Sequence, residues 1–159
     1  MDTITPAQRH LNMSHIRSTN SQPETAVRSA LHKLGFRFRK NDRRLAGKPD
    51  IVFPHYHAVI FVNGCFWHAH ARCAKFVLSK TNTVFWQEKL TRNVVRDRTE
   101  YEMLMQDGWR VGVVWECAIT GKDRGRRIRS TAEKFPSGLK RVSTNRTANS
   151  ERFRCSTDR

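Results

Sequence analysis

The stretch FVNGCFWHAHARC, Phe61 to Cys73, concentrates the side chains most able to do chemistry in this sequence. Cys65, His70 and Cys73 offer three soft ligands, and the distant Cys117 would complete a tetrahedral Cys3His zinc site. The spacing is not one of the common zinc-finger patterns, and buried free cysteines beside a surface histidine would read the same way. His68 is surplus to such a site. It is available for acid–base chemistry, or it is a hydrogen-bonded core histidine. Phe66 and Trp67 are consecutive loop residues that point in different directions, so both do not easily bury in one small core. Held rigidly between metal ligands they would form an aromatic wedge suited to a base stack. Otherwise the loop is tucked onto the rest of the fold.

A second grouping involves carboxylates. In GKPDIVF, Asp50 opens a short apolar run, and VIFVN follows as another. An acid at the start of a strand, next to a strand ending in a polar residue, suits a phosphodiesterase in which Asp50 holds Mg²⁺ and activates water. The same residues also describe an ordinary turn. Farther on, Leu90, Val94, Asp97, Tyr101 and Leu104 recur at helical spacing and predict one inward stripe. A carboxylate on that stripe needs a partner. An arginine would make the pairing structural, whereas a histidine or a metal would make it functional. On the adjacent face Trp86, Lys89, Asn93 and Arg96 place an aromatic, two cations and an amide together, either as a DNA-facing surface or as a solvated one.

The elements that must position these groups are legible. In SQPETAVRSALHKLG, Ser21 and Glu24 fit a capping box, Val27, Ala30, Leu31 and Leu34 keep helical period, and Gly35 is the stop. FRFRK predicts a short strand. DIVF and HAVIFV, separated by PHY, predict a hairpin of buried strands. TVFWQEKLTRNVVRDRTEYEMLMQDG predicts a long helix ending before Gly108. WRVGVVWE predicts a strand with Trp109, Val111, Val113 and Trp115 on one face. The order is that of an α/β sheet with helices packed on it.

The chain has 159 residues, 38% of them hydrophobic, and a net charge of +16. That size supports a core, and that charge implies a polyanionic partner, either nucleic acid or an acidic membrane surface. No run approaches the ~20 apolar residues of a membrane span, and the first residues carry no apolar signal core. A cytoplasmic, nucleoid-associated protein without membrane contact is therefore expected. In that reducing compartment the four cysteines, Cys65, Cys73, Cys117 and Cys155, suit a metal or free thiols better than disulfides. Composition divides the chain into a polar arm (1–20) with a short helix near Gln8 to Ile16, a core (21–121), and a basic, Ser/Thr-rich tail (122–159). The tail is expected to be disordered after a weak initial helix.

Taken together, NMSHIRSTNSQPE, LAGKPDIVF, VIFVNGCFWHAH, FWQEKLTRNVVRDR and GWRVGVVWECAITG resemble the very-short-patch mismatch repair endonucleases, the Vsr family. They follow its order and spacing from Asn12 to Gly121. The resemblance implies a restriction-endonuclease-like, PD-(D/E)XK-type α/β fold: a mixed sheet flanked by helices, with a structural zinc. It implies a strand-specific nick beside a T·G mismatch left by deamination of 5-methylcytosine, made by a monomer acting on double-stranded DNA alongside other mismatch-repair proteins. Carried over residue by residue, Asp50 binds catalytic Mg²⁺ with the carbonyl of Val62, His68 is the general base, Asp97 supports it, and Glu24 is a further active-site carboxylate. Cys65, His70, Cys73 and Cys117 match the zinc ligands. Phe66, Trp67 and Trp86 match aromatics that wedge into the duplex, and Met13 matches a minor-groove wedge. Lys89 and Asn93 match positions that contact the mismatch.

Three features depart from the family. Asn63 stands where some members have a second active-site histidine, and an amide cannot transfer a proton although it can hydrogen-bond a phosphate. The segment from His70 to Cys73 is one residue longer than the usual form. The tail lacks the apolar pattern of the family's closing helix. These departures keep two alternatives in view: an endonuclease of the same fold with another mismatch or sequence preference, and a catalytically weakened, zinc-stabilised DNA-binding protein.

Overall fold

The computed structural model describes Thr5, Gln8, Leu11 and residues 19–121 and 125–130. Its elements are α1 (Gln22–Lys33), β1 (Arg39–Lys40), β2 (Ile51–Phe53), β3 (Ala58–Asn63), α2 (Thr83–Gln106) and β4 (Arg110–Trp115), with 3₁₀ turns at Pro54–Tyr56 and Glu116–Ile119. The sheet order is β1-β2-β3-β4. β1 with β2 and β2 with β3 pair antiparallel, whereas β3 and β4 pair parallel, with α2 as the connection between them. The result is a mixed α/β fold on an open mixed sheet.

β3, AVIFVN, is buried at all six positions, as expected of a central strand covered on both faces. Its alternation divides the core. Ala58, Ile60 and Val62 face Val27 and Leu31 of α1, together with Val114, Ile119 and Ile128. Val59 and Phe61 face Leu104 of α2, with Tyr101, Trp109 and Val111 packed at the edge. Fully burying a side chain such as Leu31 or Leu104 stabilises the fold by roughly 1.5–3 kcal/mol. Asn63, the last residue of β3, therefore points to the α2 side.

Both helices start and stop where the sequence says they must. Ser21 accepts from the Glu24 N–H, and the Glu24 carboxylate accepts from the Ser21 N–H. α1 ends with Gly35 at φ +88°, its N–H on the His32 carbonyl and the Phe36 N–H on the Leu31 carbonyl. α2 ends in the same way: Gly108 is at φ +82°, its N–H on the Met105 carbonyl and the Trp109 N–H on the Leu104 carbonyl. This paired pattern satisfies the last helical carbonyls and needs a residue at ease in the left-handed region.

The structure differs from the sequence reading at β1 and on α2, and at β4 it adds which face is the more buried. β1 is two residues long, because Phe36 and Phe38 leave the edge to pack against Phe53. On α2 the stripe passes through Asn93 and not Val94, which is 41% exposed. A helix turns 100° per residue, and because Trp86 and Glu100 are partly buried along with Leu90, Asp97, Tyr101 and Leu104, the inward face is centred nearer Asn93 than Val94. In β4 the most buried residue is Val114, on the face opposite Trp109 and Val111, because α1 covers that side as well. Within the stretch set apart as a tail, residues 125–130 are helical and Ile128 is packed into the core on the α1 side. Met13, the rest of the arm and the rest of the tail lie outside the described residues.

The loop before β2 is held close to α2. Gly47 has φ +68°, and a Cβ there would lie 2.7 Å from Glu100 Oε2 and 3.1 Å from the Phe61 ring. Gly47→Ala is thus expected to destabilise the protein by roughly 1–2 kcal/mol, read as a lower urea midpoint at unchanged slope.

Candidate active site and metal cluster

The C-terminal end of β3 and the start of β2 converge on one small region. Asp50 immediately precedes β2, and its Oδ2 accepts the Val62 N–H at 2.7 Å. Its carbonyl accepts from Arg28 at 3.0 Å. Arg28 is itself buried and also donates to Asn20 Oδ1 (2.7 Å), Glu24 Oε2 (3.1 Å) and Asn41 Oδ1 (3.0 Å). Glu24 therefore caps α1 and holds Arg28 in the same pose. Burial pushes the Asp50 carboxyl up to about 6; the Val62 N–H opposes this, the neighbouring Glu24 adds to it, and Arg28 and His68 oppose it.

Opposite Asp50 stands a histidine–carboxylate pair. His68 Nδ1 hydrogen-bonds Asp97 Oδ2, and Asp97 Oδ1 accepts from Arg96 at 2.9 Å. Both partners anticipated for a buried carboxylate, a histidine and an arginine, are thus present, one on each oxygen. Burial opposes ionisation of Asp97, but the hydrogen bonds from His68 and Arg96 outweigh it and hold the carboxyl below its ordinary value. An ionised Asp97 can only accept. Nδ1 is therefore the donor in this bond, and in the neutral imidazole Nε2 carries the lone pair.

The loop carrying His68 is pinned on both sides. Asn93 Nδ2 donates to the Trp67 carbonyl at 3.0 Å, and the His68 N–H bonds the Gly64 carbonyl at 3.2 Å. Cys65, His70, Cys73 and Cys117 place their ligand atoms within 4.8 Å of one another, a cluster that could hold a metal ion. His70 Nδ1 lies 3.6 Å from Cys65 Sγ and 3.4 Å from Cys117 Sγ, and its ring stacks on Trp115 at 4.0 Å. Burial keeps His70 toward its neutral form and pushes the Cys117 thiol up to about 12. Thiols this crowded do not ionise together without a cation, and a bound metal relieves that conflict. The extra residue between His70 and Cys73 does not keep the four groups apart.

Phe66, Trp67 and Trp86 pack edge to face, with ring centroids 5.3–6.0 Å apart. Lys89 Nζ lies over Trp67 at 5.5 Å and over Trp86 at 5.3 Å. The structure thus brings together Glu24, Asp50 and Val62; His68 and Asp97; the four Cys/His groups; and the aromatics with Lys89 and Asn93. Asn63 donates to the Tyr101 hydroxyl. Two groups at the site were not singled out as such in the sequence. Arg28 follows Glu24 by four residues on a helix, which was the available signal. Tyr101 was read only as part of the stripe.

A half-buried carboxylate at the start of a strand, near a carboxylate-oriented imidazole, can bind a divalent cation and take a proton from water. Comparison with known proteins identifies the family. A profile of the family described as DNA mismatch endonuclease Vsr matches residues 1–75. The type II nicking enzyme V.XorIIP of Xanthomonas oryzae pv. oryzae is 44% identical over 75% of this chain and 87% of its own length. The type II nicking enzyme V.NmeAIP of Neisseria meningitidis is 46% identical over 76% and 86%. The DNA mismatch endonuclease Vsr of Escherichia coli is 42% identical over 77% and 78%. The chain belongs to the DNA mismatch endonuclease Vsr family.

The raised Asp50 carboxyl has a consequence for stability. Its ordinary value is 3.8 and its folded value about 6, so folding takes up a proton between those limits. Stability contributed here is lost as pH rises through that window. In the metal-free protein Asp50→Asn should therefore be stabilising at pH 7, by roughly 1–3 kcal/mol, and near neutral in effect below about pH 4. Urea unfolding of both proteins at the two pH values checks this.

Proposed function

We propose that this chain is a Mg²⁺-dependent DNA endonuclease that nicks one strand beside the T of a T·G mismatch arising from 5-methylcytosine deamination, and so initiates very short patch repair. The observation that carries the reading is the His68–Asp97 pair beside Asp50, in a chain whose relatives are named as mismatch and nicking enzymes. The scaffold in this reading is the restriction-endonuclease-like core of residues 21–121, acting as a cytoplasmic monomer. The arm 1–20, with Met13, and the basic tail 122–159 add contacts to DNA.

Asp50 and the Val62 carbonyl would hold Mg²⁺. Among the described residues only Oδ2 of Asp50 is engaged, which suits an ion that takes one or two carboxylates and keeps water and phosphate oxygens as its other ligands. Bound there, the ion supplies positive charge to the phosphate and acidifies water. His68 Nε2 takes the proton of the attacking water as its oxygen bonds to phosphorus, the P–O bond to the leaving oxygen breaks, and solvent protonates that oxygen. Asp97 stabilises the imidazolium formed. Glu24 acts through Arg28 and through its charge beside Asp50.

Cys65, His70, Cys73 and Cys117 would hold structural Zn²⁺. The sulfur–nitrogen separations of 3.4 and 3.6 Å agree with the edge of a tetrahedron built from typical Zn–S and Zn–N bonds, about 3.6 Å. The loop so fixed carries Phe66 and Trp67, which with Trp86 open the base stack next to the mismatch. Unstacking costs a few kcal/mol and least at a mispair. Lys89 and Asn93 read the mispair from α2.

A labelled duplex with one T·G pair, and its T·A control, test the central claim. A nick is expected only on the T strand at T·G, with Mg²⁺ and not with EDTA. Asp50→Ala should abolish it, and His68→Ala should slow it by about 10²–10⁴-fold. Equal cutting of T·A would favour a same-fold endonuclease of other preference, and tight binding without cutting would favour a DNA-binding protein. Metal analysis of purified protein should give one zinc per chain. Cys117→Ser should lower that content and the melting temperature together, with other transition metals absent from the sample.

A further inference from the structure

The Tyr101 hydroxyl makes one hydrogen bond among the described residues, and in it the oxygen accepts: Asn63 Nδ2 donates at 2.9 Å. The hydroxyl proton must then point elsewhere. Among the described residues no carboxylate accepts it, and those that influence the phenol are wholly or partly engaged elsewhere. Asp97 accepts from His68 and Arg96, Asp50 Oδ2 accepts from Val62, and Glu100 faces Arg96 at 3.8 Å. Burial, together with the charges of Asp97, Glu100 and Asp50, raises the phenol above its ordinary value despite the Asn63 bond, so it stays protonated. Phe61, 4.7 Å away between ring centroids, fixes the ring from below. Tyr101 also sits one helical turn beyond Asp97, on the same face of α2.

We infer that Tyr101 is a catalytic hydrogen-bond donor whose hydroxyl, aimed by Asn63, contacts a non-bridging oxygen of the scissile phosphate. The inference rests on the nuclease reading above. It gives the site a neutral donor beside Asn63, the position where the family resemblance implies a histidine in some members: the amide does not move a proton, it orients a hydroxyl that stabilises charge on phosphorus. Tyr101 keeps its proton throughout. A donor set in place before reaction and shielded from water is worth far more than the same group in solution.

Tyr101→Phe keeps the ring on Phe61 and removes only the hydroxyl. Single-turnover nicking at saturating DNA should slow on the order of 10²-fold, with DNA affinity and the pH profile unchanged. A phosphorothioate at the scissile position supplies a readout that a structural role would not move. One diastereomer should slow the wild type and lose that extra slowing in Tyr101→Phe, because sulfur is the poorer acceptor. Should the single variant melt too low to assay, the pair Asn63→Leu with Tyr101→Phe, which leaves neither polar group buried alone, carries the same expected losses. Wild-type rates in the variant, or a slowed variant with unchanged thio effects, would overturn the role of Tyr101 and leave the nuclease reading intact. Absence of any nick by the wild type would overturn the nuclease reading, and this role with it.

Discussion

Asp50 is partly shielded from water, and its charge is the constraint around which the rest of the site is arranged. Two antiparallel strands bring it to the Val62 amide, whose N–H is the one hydrogen bond its carboxylate makes among the described residues. Arg28 is the nearest buried cation, yet it is spent on the Asp50 carbonyl, Asn20, Asn41 and Glu24. It fixes where the chain runs and leaves the carboxylate itself undercompensated. Glu24 makes the deficit larger. Stability alone would favour an amide at this position. A residue kept ionisable at such a place is poised for a positively charged ligand, and the free Oδ1 is where such a ligand would bind.

The loop after β3 solves a different problem. Its residues must hold a histidine against α2 without a strand or helix of their own, and each ordered residue costs roughly 1–2 kcal/mol of backbone entropy. The loop meets that cost by attachment at nearly every other position. Cys65 and His70 join the cluster with Cys117, the Trp67 carbonyl is held by Asn93, and His68 by Asp97. Lys75 ties the following segment to Thr120 at 2.6 Å. Because the attachments come from α2 and from the turn after β4, the position of His68 depends on the parallel β3–β4 pairing that brings those two elements beside the loop. Local sequence therefore supplies the groups, and long-range pairing supplies their geometry.

That division explains what could be read in advance. The Ser21–Glu24 cap, the stops at Gly35 and Gly108, the buried run of β3 and the length of α2 are all encoded within a few residues, and each is found where the sequence put it. The Cys/His cluster was legible as a set of ligand types, though only packing could show that Cys117 meets residues some fifty positions earlier. Val94 was misplaced because a stripe drawn through ideal offsets cannot tell a near neighbour from the true inward position, and the polar Asn93 gave no apolar signal. Arg28 and Tyr101 were hidden for a related reason. Each lies on a helix face that reads as core, and what distinguishes it is a partner on a distant strand.

Charge is distributed unevenly over this chain, and the unevenness is itself an argument. The net charge of +16 favours a polyanion, yet Glu24 perturbs Asp50, Asp97 perturbs Glu100, and Asp50, Asp97 and Glu100 all act on Tyr101. A phosphate approaching on the basic field would meet repulsion at that point unless something reverses the local sign. Arg96 neutralises part of it through Asp97 and Glu100, and Arg28 part through Glu24, which leaves Asp50 as the unmatched acid. The long-range field can bring a polyanion to the surface; in the proposed reading a cation at Asp50, with neutral donors such as the Tyr101 hydroxyl, would let a phosphate settle there. Attraction and chemistry thus reside in different charges, and the same chain can be strongly basic while its reactive centre is acidic.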